Sequence, residues 1–279
     1  CISFLGILEY LMLENIIHED LREIKTIYSL SGGTVFIIPL LVGYSIDEYK
    51  DILLNSDFSK GTDSSLFSLN NIIQDYGLFE NKFMKFYIQK FLVYKGYSKD
   101  LTLDELYKIK AIELNIQVFN LSKNKEETFN YKNQPNIPLW KICMMTSCVP
   151  IIFKPIPYKG CSYIDGGLNN NYPNVRTNQS EKYIACYCTN DIDVHKVNEK
   201  IVYDNIIEYI FHIFLYSKDS IYIAKNRQIQ PTYRNIEILI SSKDGYNFNA
   251  SPIVLSKIYR YGFIRAGQHF SRFKDKLIK

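Results

Sequence analysis

Histidine is scarce, four in 279 residues, and the six cysteines (Cys1, Cys143, Cys148, Cys161, Cys186 and Cys188) show neither the paired C-x-x-C rhythm nor the histidine partners of a zinc site. A structural zinc is thereby excluded. No signal peptide is in view, so the thiols read as reduced and the setting as cytoplasmic. A net charge of +4, scattered along the chain, supplies no basic stripe, which excludes nucleic acid as a partner. Long hydrophobic runs are missing too: the most apolar stretch, "TVFIIPLLVGY" at 34–44, is too short to span a bilayer and closes on Asp47 and Glu48. It reads as a buried helix, not an anchor. Internal repeats are also absent.

What is present suffices for a large core: 47% of the residues are hydrophobic and 15% aromatic, consistent with one domain over 1–279. Heavy use of Asn, Ile, Lys and Tyr, with 23 tyrosines, fits the codon bias of an AT-rich genome such as a large DNA virus or a parasite. The chain opens on Cys1 rather than Met and runs into "ISFLGILEYL" with no N-cap, as a fragment starting inside an element would.

Periodicity orders the elements. Residues 2–15 carry an i, i+3, i+4 apolar stripe and read as a helix; "IKTIYSL" (24–30) reads as a buried strand; the helical period then returns from Thr34 to about residue 54, with Pro39 inside it. A Ser, Asp and Asn rich surface loop is expected at 56–69, followed by an apolar helical stripe through Phe83, Phe86, Tyr87, Ile88 and Phe91 within 78–97. Thr102 and Glu105 have capping-box spacing at the head of a helix over 101–109. A hairpin of 112–122 with 126–131, a helix over 138–150, strands at 161–165, 181–189 and 235–241, and helices over 201–226 and 252–274 complete the reading. Alternating strands and helices argue a three-layer α/β domain.

Within that frame "SLSGG" at 29–33 lies between a strand and a helix, one residue away from the G-x-S-x-G of a nucleophile elbow. Ser31 would occupy the strained turn, with small neighbours Ser29 and Gly33 on either side, and the N-terminus of the following helix, at Gly32 and Gly33, would face a developing oxyanion. A phosphate cradle would want a lysine where Thr34 and Val35 stand. A bland turn stays open.

A serine nucleophile needs a base. His18 and His212 read as structural, while His195 and His269 follow Asp165 in the chain, an order that leaves a histidine-dependent α/β-hydrolase open. The stronger clue is "YIDGGLNNNYP": Asp165 closes a strand, and Gly166 and Gly167 follow it. An Asp-Gly hairpin would explain the first residues but not the Asn run and the proline beyond.

Together, "SLSGG" and "DGGLNNNYP" resemble the paired motifs of the patatin-like phospholipases. "FLGILEYL", "YGLFENKF", "LTLDELY" and "LWKICMMTSCVPIIFKPI" are similar to that family's first helix, middle segment and pre-DGG stretch, so the resemblance covers residues 1 to about 190 and becomes loose over 191–279. It implies a three-layer α/β/α fold with a mainly parallel sheet. It also implies a Ser31–Asp165 dyad that hydrolyses acyl esters of glycerophospholipids or related lipids through an acyl-enzyme, with no metal or other cofactor. The family's glycine-rich oxyanion loop would fall before Cys1, so the segment as it stands is expected to lack donors worth about 100- to 1000-fold each. The alternative is a catalytically inactive lipid-binding or scaffold protein, which Ser29 and Pro39 would suit. Peripheral membrane contact is expected from the substrate class, with the aromatic and basic mix at 83–97 and the loop at 56–69 as its candidates, against the plainer reading of 83–97 as an amphipathic helix packed on the core.

Overall fold

The structure, a computed structural model, describes residues 2–56, 76–79, 81–168, 183–190, 235–240 and 250–273, together with scattered helical positions between 206 and 220. Nearly all of the expected loop at 56–69, the Asn run after Leu168, His195 and most of the helix expected at 201–226 lie outside the described residues.

Helix α1 (Ser3–Leu13) buries Leu5, Ile7 and Leu11 and leads through a loop to β1 (Thr26–Leu30). α2 (Gly32–Leu41) starts directly after Ser31. Apolar periodicity joins 34–54 into one helix, but the chain makes two. α2 stops two residues past Pro39, Gly43 takes a φ of 97°, and Ser45 opens α3 (Ile46–Asn55) through a capping box with Glu48. The cap outweighs the continuous apolar pattern, because it satisfies donors that a helix start would otherwise leave bare. Pro39 cannot donate to the Val35 carbonyl. The hydroxyl of Tyr49, a fully buried residue on α3, donates to that oxygen at 3.2 Å instead.

β2 (Gly77–Phe79) and α4 (Lys82–Tyr94) follow, and then α5 (Leu103–Lys110), whose capping box pairs Thr102 with Glu105 as the spacing predicts. The hairpin β3 (Glu113–Asn120) and β4 (Lys125–Phe129) leads to α6 (Leu139–Thr146). Two short strands that the sequence reading passes over, β5 (Ile151–Phe153) and β6 (Ile156–Tyr158), precede β7 (Cys161–Asp165) and a 3-10 turn at Gly166–Leu168. β8 (Ala185–Asn190), β9 (Asn235–Ile240) and α7 (Pro252–Arg272) close the described chain.

β3 is the axis of the main sheet. One of its edges takes β4 antiparallel, with Val118 opposite Glu127. The other edge is shared end to end by two strands. β1 runs parallel to β3 and finishes with Leu30 opposite Gln117; β7 runs antiparallel and finishes with Asp165 opposite Val118. Strands arriving from opposite directions therefore stop on neighbouring rungs. The α/β class holds, with a mixed sheet where a mainly parallel one was expected: β1–β3, β2–β5 and β8–β9 are parallel, whereas β3–β4, β3–β7 and β6–β7 are antiparallel. The β3–β4 and β6–β7 turns are tight, and tight turns join only antiparallel strands.

The C-terminal helix packs directly on the first one. A Cβ at Gly6 would lie 2.1 Å from the Tyr259 carbonyl oxygen, and one at Gly262 would lie 2.0 Å from that of Ser3, so α1 and α7 touch backbone to backbone. Ile7, Leu11, Ile236, Ile238, Ala266 and Phe270 form an apolar cluster behind them. The main core, around Ile38, Tyr49, Leu92, Ile116 and Ile142, lies between sheet and helices.

Candidate functional site

Ser31 occupies the turn between β1 and α2 with φ 47° and ψ −132°, a conformation that costs a non-glycine residue about 1–3 kcal/mol and persists only where neighbours enforce it. The enforcement is visible. The Ser31 N–H donates to the Thr146 hydroxyl at 2.8 Å, and that hydroxyl donates to the Gln117 carbonyl at 2.7 Å. Gln117 is the rung on which β1 ends, so the fully buried Thr146 splices the turn to β3 where the strand ladder stops.

Across the join stands Asp165, only 6% exposed. The Ser31 hydroxyl donates to Asp165 Oδ2 at 2.6 Å, which lies in the short range of hydrogen bonds to a charged acceptor. The other carboxylate oxygen, Oδ1, accepts the Gly167 N–H at 2.7 Å, and the Asp165 N–H donates to the Cys148 carbonyl at 2.9 Å. The C-terminal end of α6 and the residues just after it thus grip both partners, through the Thr146 side chain and the Cys148 backbone. Gly166 is required by close approach, since a Cβ there would lie 2.4 Å from the Gln117 carbonyl oxygen. The Gln117 amide in turn donates to the Gly166 carbonyl at 3.4 Å.

Ser29, which stands where an elbow usually has glycine, is buried and accepts a 2.9 Å hydrogen bond from the Thr34 hydroxyl. The extra side chain has a partner within the same turn. Gly33 has open space around the position of a Cβ, so packing does not demand glycine there. Ser31 makes no side-chain cap to α2, its hydroxyl being turned to Asp165, and the first N–H groups of α2, at Gly32 and Gly33, have no acceptor in the preceding turn. The positive end of the helix dipole therefore lies at the serine.

The described histidines stand elsewhere. His18 lies 3.1 Å from Glu23 at an exposed position, His212 is an exposed helical position, and His269 packs against the rings of Phe270 and Phe273 on α7. The carboxylate occupies the hydrogen-bonding place beside the serine that an imidazole fills in histidine-dependent hydrolases. Burial first, and the charge of Asp165 second, push the Cys148 thiol well above its ordinary pKa. Among the described residues no group of three or more His, Cys, Asp or Glu side chains is arranged to hold a metal ion, and no helix is long and apolar enough to cross a membrane.

Thr146, Gln117, Cys148 and Thr34 are the supporting residues that sequence reasoning missed. The stretch "LWKICMMTSCVPIIFKPI" carries a family resemblance, but only the sheet register assigns roles within it.

Comparison with known proteins gives the family. A family model for patatin-like phospholipases matches residues 1–174. Uncharacterized protein R571 of Acanthamoeba polyphaga mimivirus is 27% identical over 224 residues, 79% of this chain and 73% of that protein. Probable lipid hydrolase 463L of Invertebrate iridescent virus 6 is 28% identical over 153 residues, 55% of this chain and 53% of its own length. Among solved structures, VipD from Legionella pneumophila superposes with a TM-score of 0.60 at 15% identity, covering 97% of this chain and 64% of VipD, a likeness of fold.

Proposed function

Because the chain belongs to the patatin-like phospholipase family, we propose that it is a lipid acyl hydrolase in which Ser31 is the nucleophile and Asp165 the base. The observation that carries the proposal is the 2.6 Å hydrogen bond from the Ser31 hydroxyl to a carboxylate that is almost wholly buried.

A carboxylate in water is too weak a base to activate a serine. Removed from water and tethered by backbone N–H, it accepts the proton as the Ser31 oxygen bonds to the ester carbonyl carbon. Collapse of the tetrahedral intermediate breaks the bond to the leaving alcohol, which takes the proton from Asp165. A water molecule then gives a proton to Asp165 as its oxygen bonds to the acyl carbon, and collapse of this second tetrahedral intermediate breaks the bond to the Ser31 oxygen, which takes the proton back from Asp165 as the fatty acid leaves. The N–H groups of Gly32 and Gly33, at the positive end of α2, would stabilise the oxyanion, each donor being worth roughly 3–4 kcal/mol in comparable sites.

Glycerophospholipids and related acyl lipids are the substrates the family points to, and the viral relative 463L is named a probable lipid hydrolase. The inactive-scaffold alternative drew on the glycine-rich loop expected before Cys1 and on Ser29 and Pro39, and only the last two concern described residues. Each has a partner, Thr34 in the first case and Tyr49 for the carbonyl freed in the second, so neither argues for a dead site.

The test is labelling of the full-length protein with a fluorophosphonate, which bonds only to an activated serine. The wild type should label, and Ser31→Ala and Asp165→Asn should both lose the label. A folded wild type that stays unlabelled would sink the proposal.

A further inference from the structure

The sequence from Lys82 to Lys99 contains five lysines and no carboxylate. α4 covers most of it, burying Ile88, Phe91 and Leu92 against the core. Helical spacing puts Phe86, Lys90, Val93 and Tyr94 on the opposite side, where Phe86 is 54%, Val93 57% and Tyr94 79% exposed. Phe86 thus leaves the apolar stripe that periodicity assigns it to. Single exposed apolar side chains need no explanation, but here three share one helical face with lysines. The Lys90 ammonium lies 4.5 Å from the centre of the Phe86 ring.

A second basic and aromatic group adjoins this face. Lys85 and Lys141 stand 4.1 and 5.9 Å from the Trp140 indole. Asp100 borders the group, but accepts from the Trp140 N–H at 2.9 Å and from Gln89 at 3.3 Å. Among the described residues no carboxylate pairs with Lys85, Lys90 or Lys141. Burial first, and the charge of Lys85 second, hold Lys141 below its ordinary pKa, so an arriving anion would relieve a standing repulsion.

We infer that this face of α4, with Trp140 and Lys141 beside it, docks the protein on an anionic lipid bilayer. The inference rests on the reading that the substrate is an acyl lipid. Lysines reach phosphate and carboxylate headgroups while aromatic and aliphatic side chains enter the headgroup boundary, which is the chemistry of an interfacial helix. α4 also leads to the site. Asn81, at its N-terminal end, donates to the Met144 carbonyl and to Ser147 Oγ, both at 3.4 Å, and these residues flank the Thr146 that holds Ser31.

The experiment is co-sedimentation of the full-length protein with vesicles of phosphatidylcholine alone or mixed with phosphatidylserine, at low and high salt. Wild type should bind the mixed vesicles, more weakly as salt rises. Two independent double variants, Lys85→Glu with Lys90→Glu and Phe86→Ser with Tyr94→Ser, at half-buried Lys85 and three exposed positions, should each bind about tenfold more weakly or worse, with unfolding midpoints close to wild type. Lys257→Glu with Arg260→Glu, on exposed basic positions of α7, should bind as wild type does, and so should Ser31→Ala. Wild type left in the supernatant with mixed vesicles at low salt would overturn the inference. So would α4 variants that bind normally, or an α7 variant that alone fails. Sedimentation without fluorophosphonate labelling would sink the hydrolase reading and leave the docking face standing.

Discussion

Replacing Thr146 by valine keeps the side-chain volume and removes one hydroxyl, the group that accepts the Ser31 N–H at 2.8 Å and donates to the Gln117 carbonyl at 2.7 Å. Thr146 is fully buried, so water has no easy route to replace it. Two polar groups left unpaired cost about 1–3 kcal/mol each. The variant should therefore lose roughly 2–6 kcal/mol, a fall on the order of 5–15 °C in unfolding midpoint for a chain of this length. Thr146→Ser keeps the hydroxyl and deletes a methyl group, worth only about 1 kcal/mol. Labelling rates should follow the same order for a separate reason: Ser31 sits in a strained conformation that its N–H anchor helps to hold. We expect Thr146→Ser to label near the wild-type rate and Thr146→Val at least about tenfold more slowly, the equivalent of 1.4 kcal/mol in the barrier. Should valine and serine variants unfold within a degree or two of each other and label alike, the hydroxyl does not hold the turn.

Gly166→Ala should destabilise the protein and abolish labelling, because its Cβ would meet the Gln117 carbonyl oxygen at 2.4 Å, whereas Gly33→Ala, with open space around it inside α2, should raise stability by about 0.5–1 kcal/mol in chemical denaturation. Tyr49→Phe should cost about 1–3 kcal/mol by stranding the Val35 carbonyl, and Pro39→Ala in that background should recover part of the loss, giving a non-additive double-mutant cycle. Burial pushes the thiols of Cys143 and Cys148 well up and that of Cys186 to about 12, so in native protein at pH 8 these cysteines should resist iodoacetamide and react only after unfolding, as mass spectrometry would read.

Legibility in the sequence followed the range of the signal. Ser31 and Asp165 were readable because each stands at a strand end in a short run of small residues, and the Thr102–Glu105 cap because all its partners lie within four residues. The break between α2 and α3 was equally local, yet the apolar run across Pro39 masked the Ser45–Glu48 signal that made it. Thr146, Cys148 and Gln117 were not readable on any local ground. Their roles exist only because β1 and β7 stop on adjacent rungs of β3, and no window of sequence contains that register. The mixed direction of the sheet escaped for a related reason, since it depends on which strand each hairpin lands beside.

The end-to-end meeting of β1 and β7 also bears on when the protein becomes reactive. Ser31 and its carboxylate are 134 residues apart in the chain and come together only after both strands have docked on β3. A ribosome-bound chain that has released its first strand and helix already displays the serine, but lacks its proposed base until residue 165 has emerged and closed the second half of that edge. With the proposed dyad, the chemistry would be tied to near-completion of the main sheet, and an unfinished or misfolded copy would be inert toward acyl lipids. Appearance of fluorophosphonate reactivity during refolding would accordingly clock the docking of β7 rather than the collapse of the core.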